Sequence, residues 1–244
     1  MKLISYDVEI YNDFPEGENV DLKEIIPSIA ATGTNRDDVK FYFDYPTMTK
    51  ETAKTLVSDM MIKYEEGYIP FTWNGLSFDF QLLAHYSEEY EKCGILALNH
   101  IDSMFIIVAI KGYFLGLDKT LAGFGLQSKL HNVKLNDGTE ITDMNGSRAP
   151  ELWRKGEYQA VKDYLYMDVV QPLLLAEQIE KQRCIKWFSN SGKFMQVPTK
   201  LMTVLECLKT PIPNTQWMDK VKYRHEFYSW IPENILRKYN LWKI

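Results

Sequence analysis

The chain has 244 residues, with 28 lysines and arginines against 33 aspartates and glutamates, so its formal net charge is −5. Hydrophobic residues make up 45% of the sequence and charged residues 25%, which is typical of a folded globular protein. This composition excludes a disordered chain, a collagen-like repeat and a basic nucleic-acid tail. The length fits one large domain, or one domain with an appendage, and does not accommodate a free-standing polymerase of the usual size.

The cysteines and the apolar stretches of the sequence indicate the cellular compartment in which the protein lies. Cys93, Cys184 and Cys207 lie far apart without CxxC or CxxH spacing, which favours a reducing compartment over a zinc site or a disulfide framework. The N-terminal residues lack the apolar region of a signal peptide. The most apolar stretch, 104–117, is interrupted by Lys111 and falls short of the ~20 residues of a membrane span. We therefore expect a cytoplasmic protein.

Hydrophobic periodicity predicts the elements of the first half of the chain. In order, we predict a strand over 2–8, a turn over 12–17, strands near 26–31 and 39–42, a helix over 49–66, a strand over 68–73, and helices over 78–90 and 101–111. The first strand should end soon after Ile10. Thr49 is placed to cap the first helix and Gly67 to stop it. Asp102 or Ser103 is placed to cap the last helix.

The second half begins with a glycine-rich segment and ends in an aromatic-rich tail. We predict loops over 112–156 with short helical pieces near 118–124 and 150–153. The longest helical pattern covers 157–182, and Pro172 inside it should kink or interrupt the helix. Strands alternating with helices, with β-rich sequence first, indicate an α/β layered fold.

Two acidic motifs lie near the N-terminal side of the chain. Asp7 and Glu9 stand two residues apart on the opening strand and therefore face the same side. Adjacent carboxylates repel each other unless a cation or water separates them, although a solvated edge strand would also explain the pair. Asp79 follows a glycine-containing turn, near the start of a predicted helix. The helix dipole favours an acid there regardless of function, so a structural cap is the alternative.

The third motif lies on the longest predicted helix. Tyr164 and Asp168 are four residues apart and share one helix face. Together with Asp7, Glu9 and Asp79, Asp168 offers the hard oxygen ligands that suit Mg²⁺ or Mn²⁺. Two such ions, about 3.5–4 Å apart, can activate a water and stabilise the leaving oxygen in phosphodiester cleavage. A phenol on the neighbouring turn could orient that water or help to deprotonate it.

In their order and spacing these motifs resemble those of the DEDDy branch of the DnaQ-like, ribonuclease-H-like 3′–5′ exonucleases. D-x-E reads 7–9, N-x-x-x-F-D reads 74–79, and Y-x-x-x-D reads 164–168. The tyrosine form is similar to that of family-B DNA polymerase proofreading domains, and no histidine precedes Asp168 by five residues. The segments 101–102, 115–121 and 149–156 are also similar to this family, and the last of them to its stand-alone, polymerase-B-related members. The resemblance covers about residues 1–185, which we predict to be an exonuclease domain with 186–244 as a C-terminal extension packed on its core.

The resemblance implies a ribonuclease-H-like mixed central sheet flanked by helices. It also implies a stand-alone, two-metal exonuclease that acts on a DNA 3′ end and releases nucleoside 5′-monophosphates. Asp7, Glu9, Asp79 and Asp168 would be ligands of two Mg²⁺ or Mn²⁺ ions, with Asp7 bridging both. Tyr164 would position the attacking water. The resemblance also implies a protein partner, either a polymerase or another replication or repair protein. It implies no association with a membrane.

Ile10, Trp73, Asn74 and Phe78 are candidate substrate-binding residues. Many members of the family carry a small threonine after the glutamate, against the terminal nucleotide, and this chain carries Ile10 instead. That departure bears on the choice between DNA and RNA. Trp73 and Phe78 could stack on a terminal base or pack in the core. Asn74 could fix the turn or bond to the substrate.

The remaining charged residues have simpler predicted roles. We predict helix caps for Asp102 and Asp118, and a solvated position for Asp163, which points about 100° away from Tyr164 around the helix. An acidic protein can still bind a nucleic-acid end through a local basic rim. The candidates for that rim, each of which could equally be a solvated surface residue, are Lys111, Lys119, Lys129, Lys134, Arg148, Arg154 and Lys155.

Two other functions stay open at this point. One is a non-catalytic nucleic-acid-binding accessory with the same fold, against which the four intact acids count. The other is an RNA-trimming or structure-selective nuclease of the same fold. The tail carries Trp187, Trp217, Trp230 and Trp242, which either pack on the core or recognise a partner.

Overall fold

The computed structural model describes residues 1–14 and 21–242, and the predicted turn over 12–17 lies partly outside these ranges. The strands are β1 (Leu3–Ile10), β2 (Pro27–Asn35), β3 (Asp38–Phe43), β4 (Ile69–Thr72), β5 (Ile101–Asp102), β6 (Val133–Lys134), β7 (Glu140–Ile141), β8 (Cys184–Phe188) and β9 (Phe194–Pro198). The helices are α1 (Lys50–Glu65), α2 (Asp79–Ser87), α3 (Tyr90–Asn99), α4 (Ser103–Lys111), α5 (Leu117–Gly123), α6 (Ala149–Arg154), α7 (Tyr158–Gln182), α8 (Val204–Leu208) and α9 (Glu233–Lys238). Short 3-10 turns occur at Leu22–Glu24 and Arg224–Phe227.

A five-stranded mixed sheet in the order β3-β2-β1-β4-β5 lies at the centre of the fold. β1 pairs antiparallel with β2 and parallel with β4, while β2–β3 is antiparallel and β4–β5 parallel. One face of the sheet packs against α1 to α4, and α6 and α7 cover the other. Helices on both faces of a mixed sheet confirm the predicted α/β layered fold.

Side-chain alternation along β1 and β2 assigns residues to these two faces. Tyr6 and Val8 belong to the core beneath α1 to α4, whereas Ile29 and Ala31 of β2 belong to the core beneath α7. Strand residues of odd and even number point in opposite directions, so Asp7, between Tyr6 and Val8, faces α7. The packing of β1 therefore directs its acidic residues toward the long helix.

The first helix has the predicted boundaries. Thr49 is the N-cap of α1, and its hydroxyl accepts a hydrogen bond from the Thr52 N–H at 3.2 Å. Gly67 follows the helix with a φ of +86°, a conformation that glycine adopts without a steric cost. Local capping and turn chemistry thus determine both ends of this element.

The region between α2 and α4 differs from the prediction. The predicted helix over 78–90 ends at Ser87, and a further helix, α3, follows that was not predicted. The break lies at Glu88, which has a left-handed φ of +64° although no glycine or proline marks the position. Ile101 was predicted to be helical but lies in β5, because it pairs in parallel with Phe71 of β4.

The predicted interruption of the long helix at Pro172 is wrong. α7 continues through this proline from Tyr158 to Gln182. A proline removes one helical hydrogen bond and crowds the preceding turn, which costs about 3 kcal/mol. The apolar face of α7, including Leu165 and Val169, is fully buried against the sheet and offsets that cost.

The C-terminal residues that the structure describes pack against the core. Phe227, Tyr228 and Ile231 join the same buried cluster as α2 to α4. Trp230 donates a hydrogen bond from Nε1 to the Leu76 carbonyl at 2.9 Å, which fixes the tail beside the second acidic motif. Core packing is therefore the observed role of at least part of the aromatic tail.

The described residues contain neither a disulfide bond nor a helix suited to crossing a membrane. All three cysteines are free, and Cys93 and Cys207 are buried. Across residues 1–14 and 21–242, no helix combines the length and apolar character that crossing a bilayer requires.

Candidate metal centre

Two strand carboxylates form one side of the site. Asp7 is partly buried and Glu9 is buried, on the face of β1 that α7 covers. The pairing of β1 with β2 shifts register between Glu9 and Ile10, where β1 ends. Glu9 still pairs in regular register with Ile29, so strand alternation directs it to the same face as Asp7.

The long helix supplies the other side of the site. Tyr164 and Asp168 lie one turn apart on the buried face of α7, 2% and 5% exposed. One carboxylate oxygen from each of Asp7, Glu9 and Asp168 lies within 4.8 Å of the others, so these three acids could hold a metal ion together. Folding thus joins residues more than 150 positions apart in the sequence.

Asp79 is the fourth predicted acid and stands slightly apart. It is buried at the start of α2 and lines the same cavity, but it lies outside the three-carboxylate cluster. The Tyr6 hydroxyl donates a hydrogen bond to the Asp79 main-chain carbonyl at 3.3 Å, which ties the start of α2 to β1.

Asp102 holds the turn that leads from β4 to Asp79. Its carboxylate accepts hydrogen bonds from the backbone N–H groups of Asn74 at 2.9 Å and Leu76 at 3.0 Å. It also caps α4 by accepting from the Phe105 N–H at 3.0 Å. Asp102 is therefore the helix cap that the sequence predicted, and it serves the turn as well.

Replacing Asp102 by alanine should destabilise the protein by about 3 kcal/mol or more, because each of the three N–H groups left without an acceptor costs about 1–3 kcal/mol. Urea unfolding measures this loss. Asp163→Ala is the matched control, since Asp163 is exposed on α7. A loss no larger than that of the control would contradict the role of Asp102.

Local chemistry explains the rest of this turn. Asn74 adopts a left-handed φ of +73°, and its side chain accepts a hydrogen bond from Ser77 at 2.9 Å, so it fixes the turn. Gly75 donates its N–H to Thr72 Oγ1 at 3.1 Å, and a Cβ at Gly75 would lie 2.4 Å from that oxygen. Only glycine fits at this close approach.

The acids of the site raise one another's pKa values. Removal from water, followed by the charges of Asp79 and Asp168, raises the pKa of Asp7 well above its usual value. Burial and the charge of Asp168 do the same for Glu9. Burial and Asp102 raise the pKa of Asp79 to about 7. Without a cation, the site therefore resists full ionisation.

Lys129 is the cation that the structure places in this cluster. Its Nζ lies 2.7 Å from Asp168 Oδ2 and 5.1 Å from the centroid of the Tyr164 ring. Burial opposes its charge, but Asp168, Tyr164 and Asp7 outweigh burial, so the pKa of Lys129 is raised. Oδ1 of Asp168 is buried with no hydrogen-bond partner among the described residues.

Two contacts hold the loop of Lys129 against the site. The Lys129 N–H donates to Asp118 Oδ1 at 2.7 Å, and Gln171 of α7 donates to the Gln127 carbonyl at 3.2 Å. The predicted cap role of Asp118 is wrong, because Gly116 is the N-cap of α5 and Asp118 bonds to this loop instead. Sequence analysis named Lys129 only as one of seven basic candidates, since no local pattern shows where a loop folds back.

The acids open into a cavity of about 440 Å³. Ile10, Trp73, Asn74 and Phe78 all line it, as does the exposed Phe14, which sequence analysis did not single out. The rings of Phe14 and Phe78 lie 6.0 Å apart. Trp73 donates from Nε1 to the Leu115 carbonyl at 3.1 Å, which fixes its ring in the wall.

The other basic candidates do not line this cavity. Among the described residues that line it, Lys129 is the basic one. Arg154 donates to the Tyr11 carbonyl at 2.6 Å and to Asp13 at 2.8 Å, and Arg148 pairs with Asp143. The basic rim around the acids stays a prediction, with Lys129 as its member inside the cavity.

Comparison with known proteins identifies the fold. No protein-family model and no curated protein matches the chain. A family B DNA polymerase from the hyperthermophilic archaeon Pyrobaculum calidifontis is similar in structure, with a TM-score of 0.52 and 16% sequence identity over 72% of this chain. The chain spans 24% of the polymerase chain. This likeness confirms the predicted ribonuclease-H-like mixed α/β fold, and at this identity it carries nothing beyond the fold.

Proposed function

We propose that this protein is a two-metal-ion 3′–5′ exonuclease of the DEDDy class, which hydrolyses terminal phosphodiesters of DNA to nucleoside 5′-monophosphates. The observation that supports this most is the convergence of Asp7, Glu9 and Asp168 within 4.8 Å, with Asp79 lining the same cavity. These positions match the motifs that resemble the family.

The donor set fits Mg²⁺ or Mn²⁺. All four acids offer hard oxygen atoms, and Asp168 Oδ1 is a buried acceptor without a donor among the described residues. Burial, followed by the negative charges of the neighbouring acids, raises the pKa values of Asp7 and Glu9, and divalent cations would neutralise those charges. When bound, two such ions supply an activated water and stabilise the leaving oxygen.

Tyr164 is suited to positioning rather than to proton abstraction. Burial, with the charges of Asp168 and Glu9, raises the pKa of its phenol, which therefore stays neutral near pH 7. A neutral phenol donates a hydrogen bond and can orient the attacking water. Lys129, next to both Tyr164 and Asp168, is placed to offset negative charge that develops at the scissile phosphate.

The cavity walls suit a terminal nucleotide. Phe14, Trp73 and Phe78 offer rings on which bases stack without sequence preference. The side chain of Ile10 is apolar and gives a 2′-hydroxyl no hydrogen-bond partner, which supports DNA over RNA. The side chain of Asn74 is already bonded to Ser77, so Asn74 supports nucleotide binding by fixing the shape of the turn rather than by contacting the substrate.

Tyr164→Phe should lower kcat about 10²-fold, the loss expected when a reacting group is misplaced by about 1 Å, with KM little changed. Tyr166→Phe is the control, because that hydroxyl bonds to the Arg36 carbonyl on the outer side of the same helix. Steady-state hydrolysis of a labelled single strand measures both. Equal kinetics for the two variants would contradict the role of Tyr164.

End-labelled strands test the proposed activity. With Mg²⁺ or Mn²⁺, we expect single-nucleotide shortening of a 5′-labelled DNA strand and no cleavage of a strand with a blocked 3′ end. Asp168→Asn should be inactive, whereas Asp163→Asn, five residues earlier on the exposed side of α7, should match wild type. Cutting of the blocked strand would contradict the exonuclease proposal, and preferential RNA shortening would replace DNA with RNA as the substrate.

A further inference from the structure

A second cavity, here called the tail cavity, lies between α4 and residues 208–228 and has a volume of about 270 Å³. Val108 and Tyr228 form buried parts of its wall, and Ile212 at its edge is 85% exposed. Gly112 brings the walls together, since a Cβ there would lie 2.4 Å from Thr215 Cγ2. The tail cavity is thus built by close packing of the C-terminal loop on α4.

Two basic side chains, Lys222 and Arg224, line the tail cavity, whose wall is otherwise largely apolar. The lining residues in the described part of the chain include no carboxylate, although Glu226 lies near enough to attract Lys222. Lys222 forms no ion pair with any described residue, and its ammonium lies 4.5 Å from the centroid of the Phe227 ring. A cationic area on a protein with net charge −5 indicates a negatively charged ligand.

The hydrogen-bond partners of the Arg224 guanidinium are neutral. Its guanidinium donates to the carbonyls of Ala109 at 2.6 Å, Thr210 at 2.8 Å and Pro211 at 2.8 Å. These bonds anchor the loop to α4 and hold the positive charge in place without cancelling it.

Exposed rings stand beside these cations. Tyr223 is 63% exposed and stacks on His225, with ring centroids 6.0 Å apart and an interplanar angle of 14°. Aromatic rings interleaved with cations are the recurring platform for single-stranded nucleic acid, because bases stack while the cations meet the phosphates. An acidic peptide would use the charge but has no base to place on these rings.

The tail cavity and the metal centre are close along the chain. Gly112 lines the tail cavity, and three residues later the Leu115 carbonyl accepts the hydrogen bond from Trp73, which lines the catalytic cavity. Three extended residues span at most about 11 Å. The wall residues Gly112 and Leu115 therefore lie within the length that a few nucleotides span.

We propose that the tail cavity binds the single-stranded nucleic acid whose 3′ end occupies the metal centre. Tyr223 and His225 stack on bases several nucleotides from that end, and Lys222 meets a phosphate, while Arg224, whose terminal nitrogens are bonded to main-chain carbonyls, adds positive charge beneath the strand. This inference rests on the proposed function for its choice of strand, and its test uses a binding readout that needs no catalysis.

Fluorescence anisotropy of a labelled single-stranded DNA 20-mer, measured in EDTA over a range of salt concentrations, tests the tail cavity. Tyr223→Ala should raise Kd about tenfold without changing the salt dependence, since a stacked base and no ion contact is lost. Lys222→Gln should make the slope of log K against log salt less steep by about 0.7, the value for one phosphate contact on a single strand. Lys54→Gln on α1 and Tyr68→Ala are the matched controls.

The outcomes separate this inference from the proposed function. Wild-type Kd and slope in both tail-cavity variants would overturn the inference, even if the end-labelled strands are shortened as proposed. Equal competition by polyglutamate of the same charge would also overturn it, because that would show anion attraction without stacking. The predicted changes in Kd and slope, in a protein that shortens no strand, would support the tail cavity and reject the exonuclease.

Discussion

Asp7→Asn is expected to abolish metal-dependent cleavage and, at the same time, to stabilise the metal-free protein. Metal ions contribute several kcal/mol to such reactions, so losing a shared ligand should lower kcat at least about 10³-fold. The gain in stability follows because Asp7 is removed from water and repelled by Asp79 and Asp168, and asparagine keeps its shape without the charge.

These opposite effects separate a functional acid from a structural one. Cleavage of a labelled strand measures the first, and the melting temperature in EDTA at pH 7.5 measures the second. Asp102→Asn is an informative comparison, since Asp102 accepts three backbone hydrogen bonds and its replacement should lower the melting temperature. Mg²⁺-dependent cleavage by Asp7→Asn at a rate near wild type would refute the site.

The metal-free protein is also expected to lose stability as the pH rises from about 4 to about 7. Asp79 has a pKa near 7 in the folded protein, well above its ordinary value of 3.8, so the folded state binds the extra proton in this window. Stability then falls as the pH rises, because deprotonation favours the unfolded chain. A shift of this size corresponds to a loss on the order of 4 kcal/mol for Asp79 alone.

Other titratable groups of the site also affect stability in this pH range. Glu9 on β1 and Asp168 on α7 have raised pKa values for the same reason, burial, whereas Lys129 pulls both downward. Urea unfolding in EDTA at pH 5 and pH 7.5 measures the loss, and Mn²⁺ should restore the stability at the higher pH. Stability that rises between these pH values, or that Mn²⁺ leaves unchanged, would contradict the arrangement of charges.

The sequence predicted the parts of the site that depend on local periodicity. Alternation in β1 placed Asp7 and Glu9 on one face, and helical spacing placed Tyr164 with Asp168. The glycine at position 75 located the turn before Asp79. Each of these features is set by residues only a few positions apart, so a single sequence contains the information needed to predict it.

Features that depend on distant packing were missed. Lys129 reaches Asp168 because Asp118 and Gln171 hold its loop, and none of these contacts has a local signature. Phe14 joins Phe78 across a long sequence separation. The break before α3 was missed for a different reason, since Glu88 adopts a backbone conformation usually left to glycine.

Direct titration with Mn²⁺ tests the central claim, that carboxylates from distant parts of the chain hold divalent cations together. Electron paramagnetic resonance counts the free ion, and we expect two bound Mn²⁺ per wild-type chain at saturation. Asp7→Asn should bind no more than one, weakly, whereas Asp163→Asn should bind two. Wild-type protein that binds no Mn²⁺, or an Asp7→Asn variant that binds it as wild type does, would contradict the account.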